Sequence, residues 1–270
     1  MLTSLAFLAA LSLAPGQTGL SLTNSRPTYG ALGSPRPDSK VLPGDRFYIA
    51  FDIQNIKEND KGQVQYTMAM EVTDSKGKIQ YKQEEPKDRF LNAENHLSGA
   101  RLPAFSFVDV GLDMPAGKYT MKVTVNDKVA KTTANVSQDF EVLPLGLGLT
   151  HLETSYDPKG EIPAPTIAVP GQSLILSCAA VGFSRDKAKG QPHFTVEMTI
   201  IDNATKKPTL AKPFAGEFTQ VPENHKVLPL QFPLSLNRPG KFTVELKLTD
   251  LLAKKSATLS FPLEVVGPSK

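Results

Sequence analysis

Two stretches, "AGKYTMKVTVND" (116–127) and "PGKFTVELKLTD" (239–250), are near copies of each other and decide the fold. In both, apolar residues alternate with polar ones, which is the period of a β-strand that buries one face. The apolar positions are Tyr119, Met121, Val123 and Val125 in the first copy, and Phe242, Val244, Leu246 and Leu248 in the second. The residues on this predicted inner face differ between the two copies but are apolar in both. Both stretches are therefore predicted to be core strands of one shared architecture.

The repetition extends over almost the whole chain of 270 residues. The matched pairs are "GLSLT" (19–23) with "GLGLT" (146–150), "PGDRFYIAFDI" (43–53) with "PGQSLILSCAA" (170–180), and "QYTMAMEVTD" (65–74) with "HFTVEMTIID" (193–202). A repeat of about 120 residues has the size of one domain. We therefore predict two domains, at 19–143 and 146–267, which meet at a short joint that Pro144 stiffens.

The composition favours an all-β fold with two tandem sandwich domains. Hydrophobic residues make up 40% of the chain, enough for a core in each half, and 22 prolines and 19 glycines separate short β-branched runs. The stretch "TDSKGK" (73–78) has the chemistry of a hairpin turn, with Gly77 available for a positive φ. Several short strands at this spacing are typical of a β-sandwich.

The N-terminal stretch "MLTSLAFLAALSLAPGQTG" (1–19) contains an apolar run of the length found in secretory signal peptides. The repeat begins at Gly19 and leaves 1–18 outside it, so we predict a signal peptide there and a secreted or periplasmic envelope protein. An apolar strand is the alternative, because no Lys or Arg precedes the run. No other run reaches transmembrane length, so no membrane span is expected after signal removal.

The motifs quoted above carry a family resemblance. Each unit resembles the immunoglobulin-like sandwiches of bacterial envelope proteins, including macroglobulin-type modules, through "PGDRFYIAFDI" (43–53), "DSKGK" (74–78) and "AGKYTMKVTV" (116–125). The resemblance implies that Tyr119 forms a tyrosine corner by bonding a nearby backbone group, which Phe242 cannot do. "PGQSLILSCAAVGF" (170–183) also resembles strand B of antibody variable domains, but one cysteine and no tryptophan exclude that family.

Motifs for chemistry are scarce. Cys178 is the single cysteine, and it stands where the other repeat has Phe51, so a buried core thiol is favoured over a nucleophile. The four histidines show no metal-ligand spacing, and no cofactor-binding motif is present, so no cofactor and no metal are predicted. Charges of both signs are interspersed around a net +3, which excludes nucleic acid as a partner.

One polar triplet recurs at a similar place in each unit. The two copies are Glu94, Asn95 and His96 in the first unit, and Glu223, Asn224 and His225 in the second. Two interpretations remain open: a repeated polar contact or weak metal site, and a turn retained after duplication. We favour the turn, because asparagine and its polar neighbours are ordinary turn formers.

These observations predict a non-catalytic binding, adhesion or spacer module whose partner is another envelope protein or a glycan. A periplasmic chaperone that acts by strand addition is one alternative. An enzyme with a site at the domain joint is the other. It would use a polar cluster just after the joint, such as His151, Glu153, Tyr156 and Asp157. The counterparts of these residues are Asn24, Arg26, Tyr29 and Gly30, so the cluster differs between the copies at every position except the tyrosine.

Overall fold

The computed structural model describes residues 19–96 and 99–267, so the predicted signal peptide at 1–18 lies outside the described residues. The first half forms β1 (Ser21–Thr28), β2 (Lys40–Val41), β3 (Arg46–Gln54), β4 (Gln63–Asp74), β5 (Ile79–Gln83), β6 (Leu91–Glu94), β7 (Arg101–Asp109), β8 (Gly117–Asp127) and β9 (Thr132–Val142). The second half forms β10 (Gly148–Ser155), β11 (Ile167–Ala168), β12 (Ser173–Val181), β13 (Phe194–Asp202), β14 (Lys207–Pro208), β15 (Phe214–Phe218), β16 (Val227–Ser235), β17 (Gly240–Asp250) and β18 (Lys255–Val265). The part of the chain that the structure describes contains no helix of the length and hydropathy needed to cross a bilayer.

Each half is built from two sheets with the same strand order. In the first half, sheet β1-β3-β7 faces sheet β2-β9-β8-β4-β5, and β6 also pairs with β4. The second half repeats this order as β10-β12-β16 and β11-β18-β17-β13-β14, with β15 on β13. All pairings are antiparallel except β2 with β9 and β11 with β18. The prediction of an all-β chain with two immunoglobulin-like sandwiches is confirmed.

The alternation read from the sequence places the core between the two sheets of each half. All eight predicted inward positions of the opening stretches are buried: Tyr119, Met121, Val123, Val125, Phe242, Val244, Leu246 and Leu248. The facing sheet of the first sandwich contributes Phe47, whose ring stacks on Phe140 with centroids 4.6 Å apart. The hairpin predicted between β4 and β5 also forms, with Gly77 at a φ of 77°.

Two predictions about single core residues are confirmed. The Tyr119 hydroxyl donates to the Pro115 carbonyl oxygen at 2.7 Å, which is the tyrosine corner that the resemblance implied. Cys178 lies on the inner face of β12, and burial raises the pKa of its thiol to about 12. A thiol with this pKa is almost entirely protonated at neutral pH, so Cys178 packs as a small apolar side chain.

Each of the two opening stretches ends in a buried aspartate that closes the hairpin to the last strand. Asp127 Oδ1 accepts the Val129 and Ala130 N–H groups at 2.8 and 3.0 Å, and Oδ2 accepts the Lys57 N–H. Asp250 makes the same set, with the Leu252, Ala253 and Ser184 N–H groups as donors. Both side chains are 1% exposed, so each carboxylate satisfies donors that water cannot reach.

We predict that Asp250→Ala lowers the free energy of unfolding by about 2–4 kcal/mol, because three buried N–H groups lose a charged acceptor. Urea unfolding followed by tyrosine fluorescence measures the change. Asp88→Ala, at an exposed loop position, is the matched control and should stay within about 0.5 kcal/mol of the parent chain. Equal effects of the two substitutions would contradict the assignment.

Candidate functional site at the joint between the sandwiches

Tyr29, at the start of the loop between β1 and β2, links the two sandwiches. The Tyr29 N–H donates to the Ser34 carbonyl oxygen at 3.0 Å, and Thr28 forms an isolated antiparallel β-bridge with Pro35. These contacts close the loop and fix the backbone at Tyr29. The side chain is 7% exposed and belongs to the core cluster of the second sandwich, with Leu149 and Leu152. A residue of the first sandwich therefore completes the core of the second.

A buried carboxylate fixes the same two bodies by hydrogen bonds. Asp45 Oδ1 accepts the His151 backbone N–H of the second sandwich at 2.7 Å, and Asp45 Oδ2 lies 2.9 Å from Arg36 Nη2. The side chains of Asp45 and Arg36 are 6% and 8% exposed, and the Arg36 guanidinium stands 4.9 Å from the Tyr29 ring centroid. A carboxylate as buried as that of Asp45 is stable only when its oxygens are paired, so the hydrogen bond to His151 and the ion pair with Arg36 are both needed. Hydrogen bonds depend on angle as well as distance, so they fix how the two sandwiches are oriented.

The His151 N–H is available because β10 contains a β-bulge. The register of β10 against β12 shifts between Thr150 and Glu153, and His151 has a φ of 54°. A bulged residue is left out of the ladder, so its N–H can bond outside the sheet. Asn24 occupies the same bulge in β1 with a φ of 53°, but there the side chain bonds Asp52.

A second polar cluster surrounds Glu153 at the rim of the joint. Its Oε1 accepts the Tyr48 O–H at 2.8 Å and lies 3.2 Å from His151 Nε2 and 3.5 Å from Arg46 Nη1. Arg46 Nε donates to Asp109 at 2.6 Å. The contacts of Tyr48 and Arg46 with this carboxylate oxygen join β3 of the first sandwich to β10 of the second, and the His151 contact lies within β10.

The protonation states in this cluster are set by burial and by the partners. Burial alone would raise the pKa of Glu153, but hydrogen bonds from His151 and Tyr48 and the charge of Arg46 outweigh it and lower that pKa. Burial, together with the charge of Glu153, raises the pKa of Tyr48 to about 12 against the opposing effect of Arg46. At neutral pH Glu153 is therefore ionised and Tyr48 is neutral, and neither is poised to transfer a proton.

An aromatic face adjoins this cluster on the outside of the first sandwich. It consists of Tyr48, Phe105 and Phe107; the Tyr48 ring centroid lies 6.1 Å from that of Phe105 and 5.1 Å from that of Phe107. Phe105 and Phe107 are 38% and 37% exposed, and the Arg46 guanidinium stands 4.4 Å from the Phe107 centroid. Together with Glu153, these residues line a cleft of about 190 Å³ whose opposite wall includes Gly160, Pro163 and Ser177 of the second sandwich.

The second sandwich has no matching aromatic face. The sheet registers place Gln231 and Pro233 where the first sandwich has Phe105 and Phe107. Ile175 and Ser173 likewise replace Tyr48 and Arg46. The aromatic face is thus specific to the first copy.

The repeated triplet lies in the segments that precede β7 and β16. In the first copy, His96 Nε2 lies 2.7 Å from Glu94 Oε2, and the Asn95 side chain brackets Gly99 by accepting its N–H and donating to its carbonyl. These contacts are local to the segment between β6 and β7.

The second copy of the triplet makes different contacts. The His225 N–H donates to the Pro222 carbonyl, and the His225 carbonyl accepts from Arg185 Nη2 at 2.8 Å. Glu223 lies against Gly190, and Asn224 is exposed. Among residues 19–96 and 99–267 no three His, Cys, Asp or Glu side chains are placed to hold a metal ion. A repeated contact at these positions stays a prediction.

The residues named for an enzyme at the joint are only partly brought together. His151 and Glu153 are in contact, whereas Tyr156 is 42% exposed and the Asp157 carboxylate accepts the N–H groups of its own loop, including that of Ile162 at 2.7 Å. Of their counterparts, Tyr29 and Gly30 lie in the joint.

Sequence reasoning missed six residues that form the joint and the aromatic wall of the cleft: Arg36, Asp45, Arg46, Tyr48, Phe105 and Phe107. One difference between the copies could have indicated two of these residues: "PGDR" (43–46) carries an acidic and a basic side chain, whereas the matching "PGQS" (170–173) carries neither.

Comparison with known proteins gives weak similarity only. No protein-family model and no curated protein matches the chain. The C-terminal domain of the Streptococcus agalactiae AgI/II polypeptide BspA is 9% identical with a TM-score of 0.30, covering 92% of this chain and 100% of that one. The C-terminal domain of the Streptococcus pyogenes antigen I/II-family protein AspA is 9% identical with a TM-score of 0.28, covering 91% and 99%. A family 123 glycoside hydrolase from Clostridium perfringens is 13% identical with a TM-score of 0.30, covering 46% and 27%. At this level of similarity neither the activity nor the partners of those proteins transfer to this chain.

We predict that Tyr29→Ala separates the unfolding of the two sandwiches, because it removes an aromatic ring from the core of the second and costs about 3 kcal/mol. Differential scanning calorimetry should show two transitions where the parent chain shows one. Tyr156→Ala, at the same repeat position but exposed, should retain a single transition. A single transition for Tyr29→Ala as well would contradict the coupling.

Acid should weaken the rim of the joint. Folding lowers the pKa of Glu153 below its unfolded value of about 4.3, so its carboxylate stabilises the protein above that pH, and the contribution is lost as the pH falls through the folded pKa. Glu153→Gln should therefore cost about 1–2 kcal/mol at pH 7 and progressively less below pH 4. Urea unfolding across this pH range measures the difference, and a cost that does not change with pH would contradict the assignment.

Proposed function

We propose that this chain is a secreted or cell-envelope protein that binds a partner without catalysing a reaction, and that the aromatic face beside the joint is its contact surface. The observation that carries the proposal is the pair of exposed rings, Phe105 and Phe107, on an outer strand beside a fixed joint. Adjacent exposed aromatic rings on one strand face favour an interaction surface over a chance exposure, because aromatic residues are enriched at protein interfaces.

The joint supports a binding or spacer role by holding this surface at one orientation. Tyr29 and Asp45 fix the second sandwich against the first, and Glu153 places the β10 wall opposite the aromatic face. A preorganised surface loses little conformational entropy on binding, which favours affinity.

The chemistry around Glu153 favours binding over catalysis. Its Oε1 is engaged by Tyr48 and His151, and the lowered pKa of the carboxyl removes it from the range of a general acid at neutral pH. The Tyr48 hydroxyl, with a pKa of about 12, is no better suited to proton transfer. The cluster therefore serves to hold the two walls of the cleft.

Of the two partner classes that the sequence indicates, an envelope protein fits the surface better than a glycan. β7 stands at the edge of its three-stranded sheet, and no described strand pairs with its outer side. An edge strand offers backbone hydrogen bonds to an extended segment, while rings on the same strand give side-chain pockets. Arg46, paired with Asp109 and Glu153, adds a group of charges of both signs at the end of this strand.

We expect Phe105→Ala combined with Phe107→Ala to reduce partner capture at least tenfold, since these rings supply the apolar area of the contact. The test is cross-linking capture from the native cell envelope with the chain from residue 19 as bait, followed by mass spectrometry. Phe214→Ala, an exposed phenylalanine of β15 in the second sandwich, is the control and should capture as well as the parent.

Two results would contradict the proposal. Capture that does not depend on Phe105 and Phe107 would remove the aromatic face as the contact surface. An unprocessed N-terminus on the native protein, with cytosolic proteins as its companions, would remove the envelope location. Reproducible capture of a glycan through the same two rings would keep the surface and replace the partner class.

A further inference from the structure

A cleft of about 360 Å³ lies between the two sandwiches beside Arg36. The first sandwich supplies one wall through β2 and the loop before it, and β10 and β18 of the second sandwich supply the other. We call this space the joint cleft. It shares no lining residue with the cleft at the aromatic face, and its volume is in the range of small-molecule sites.

Leucines make up much of the lining of the joint cleft. Leu42 and Leu143 come from the first sandwich, and Leu147 and Leu259 come from the second. Leu42 lies so close to β10 that a Cβ atom at Gly148 would stand 2.1 Å from its Cδ1, so the two walls touch at this point. A molecule that fills the cleft therefore needs an apolar body.

Arg36 borders the joint cleft with a guanidinium that is only partly paired. Its side chain is 8% exposed, and Nη2 donates to Asp45 Oδ2 at 2.9 Å and to the Lys40 carbonyl oxygen at 3.0 Å. Nε and Nη1 form no hydrogen bond with any residue that the structure describes, and Nε is also shielded from water. Unused N–H groups on a buried cation are costly, so an acceptor that reaches them would be bound strongly.

Other groups beside Arg36 also offer donors. The Tyr29 hydroxyl has no hydrogen-bond partner in the described part of the chain, and burial raises the pKa of Tyr29 although the charge of Arg36 opposes this. The exposed Lys40 ammonium borders the same cleft. Both carboxylate oxygens of Asp45 are already bonded, and Asp38, which is exposed, accepts the Lys40 N–H through Oδ1. The cleft thus presents more free donors than acceptors.

The guanidinium belongs to the joint and not to the repeated fold. The Arg36 N–H donates to the Pro27 carbonyl, and the Ala164 N–H donates to the Thr154 carbonyl in the same way, so Arg36 and Ala164 are equivalent positions. Ala164 is 1% exposed and packs in the core of the second sandwich. A cation therefore stands where the other copy has a small apolar side chain, and Asp45 pairs with only one of its nitrogens.

We propose that the joint cleft binds a small molecule that has an apolar body and one carboxylate, whose oxygens accept hydrogen bonds from Arg36 and Tyr29. Hydrogen bonds between a guanidinium and a carboxylate are stronger than those to a neutral acceptor, which favours an acid over an amide or an alcohol. Lys40 adds a second positive charge at the cleft. The proposal does not rest on the aromatic face.

Octanoate is the probe, and its binding to the chain from residue 19 is followed by heteronuclear NMR. We expect a Kd of about 1 mM or lower, with shifts in the amide signals of β2, β10 and β18. Octanamide has the same apolar body and a neutral head, and should bind at least tenfold more weakly. Phe105→Ala combined with Phe107→Ala should leave octanoate binding unchanged, which separates this site from the proposed partner surface.

Thr258→Phe tests the position of the site without changing the contacts of Arg36. Thr258 is an exposed residue of β18 that lines the joint cleft, so a ring there should fill the space and weaken octanoate binding at least tenfold. The control is Asn135→Phe, because Asn135 occupies the same register position in β9, is exposed and lies outside the cleft. This control should bind octanoate like the parent chain.

Arg36→Gln tests the choice of ligand class. If the guanidinium selects the acid, this variant should bind octanoate and octanamide equally, whereas a purely structural role of Arg36 would leave the preference for the acid intact. Three results would overturn the proposal: no octanoate binding at millimolar concentration, equal binding of acid and amide by the parent chain, and binding that Thr258→Phe does not weaken.

Discussion

The arrangement of the whole chain depends on one buried contact, in which Asp45 and Tyr29 of the first sandwich are held by the second. A carboxylate removed from water is stable only when its oxygens are hydrogen-bonded, and here the His151 N–H and Arg36 meet that requirement. The hydrogen bond fixes direction, and the Tyr29 ring, packed into the neighbouring core, fixes distance. The cleft next to the aromatic face exists only because this contact sets its two walls, one from each sandwich, opposite each other.

Duplication produced two sandwiches with one topology and different surfaces. Core positions changed while remaining apolar, because a polar residue there would be buried without a partner. Positions outside the two cores were free to diverge, and the pairs that differ are Asp45 with Gln172, Arg46 with Ser173, Tyr48 with Ile175, Phe105 with Gln231 and Phe107 with Pro233. The first copy thus carries the carboxylate of the joint and the aromatic face, and the second copy has neither.

Sequence reasoning identified the fold because strand faces follow a local period. The inward residues of β8 and β17 follow from this alternation, and the buried thiol of Cys178 follows from the alternation and from the match with Phe51 in the other copy. The Tyr119 corner, which the family resemblance implied, is a contact with Pro115 four positions away. The candidate site could not be found in this way. Tyr48 and Glu153 are separated by 105 positions, and the bulge that aims the His151 N–H at Asp45 has no marker in the alternation of residues. The triplet at Glu94–His96 was visible in the sequence because it recurs in the second unit, although the two copies make different contacts.

The sequence by itself determined two copies of one β-sandwich, the faces of their strands and the residues of their cores. These are set by the alternation of apolar and polar side chains, whose burial dominates the free energy of folding. Only the tertiary structure decided which surfaces meet. The joint needs a left-handed residue in β10, a loop that carries Tyr29 across to a second core, and a carboxylate enclosed on several sides. Each of these depends on the distance and direction between groups far apart in the chain, which no local pattern of residues encodes.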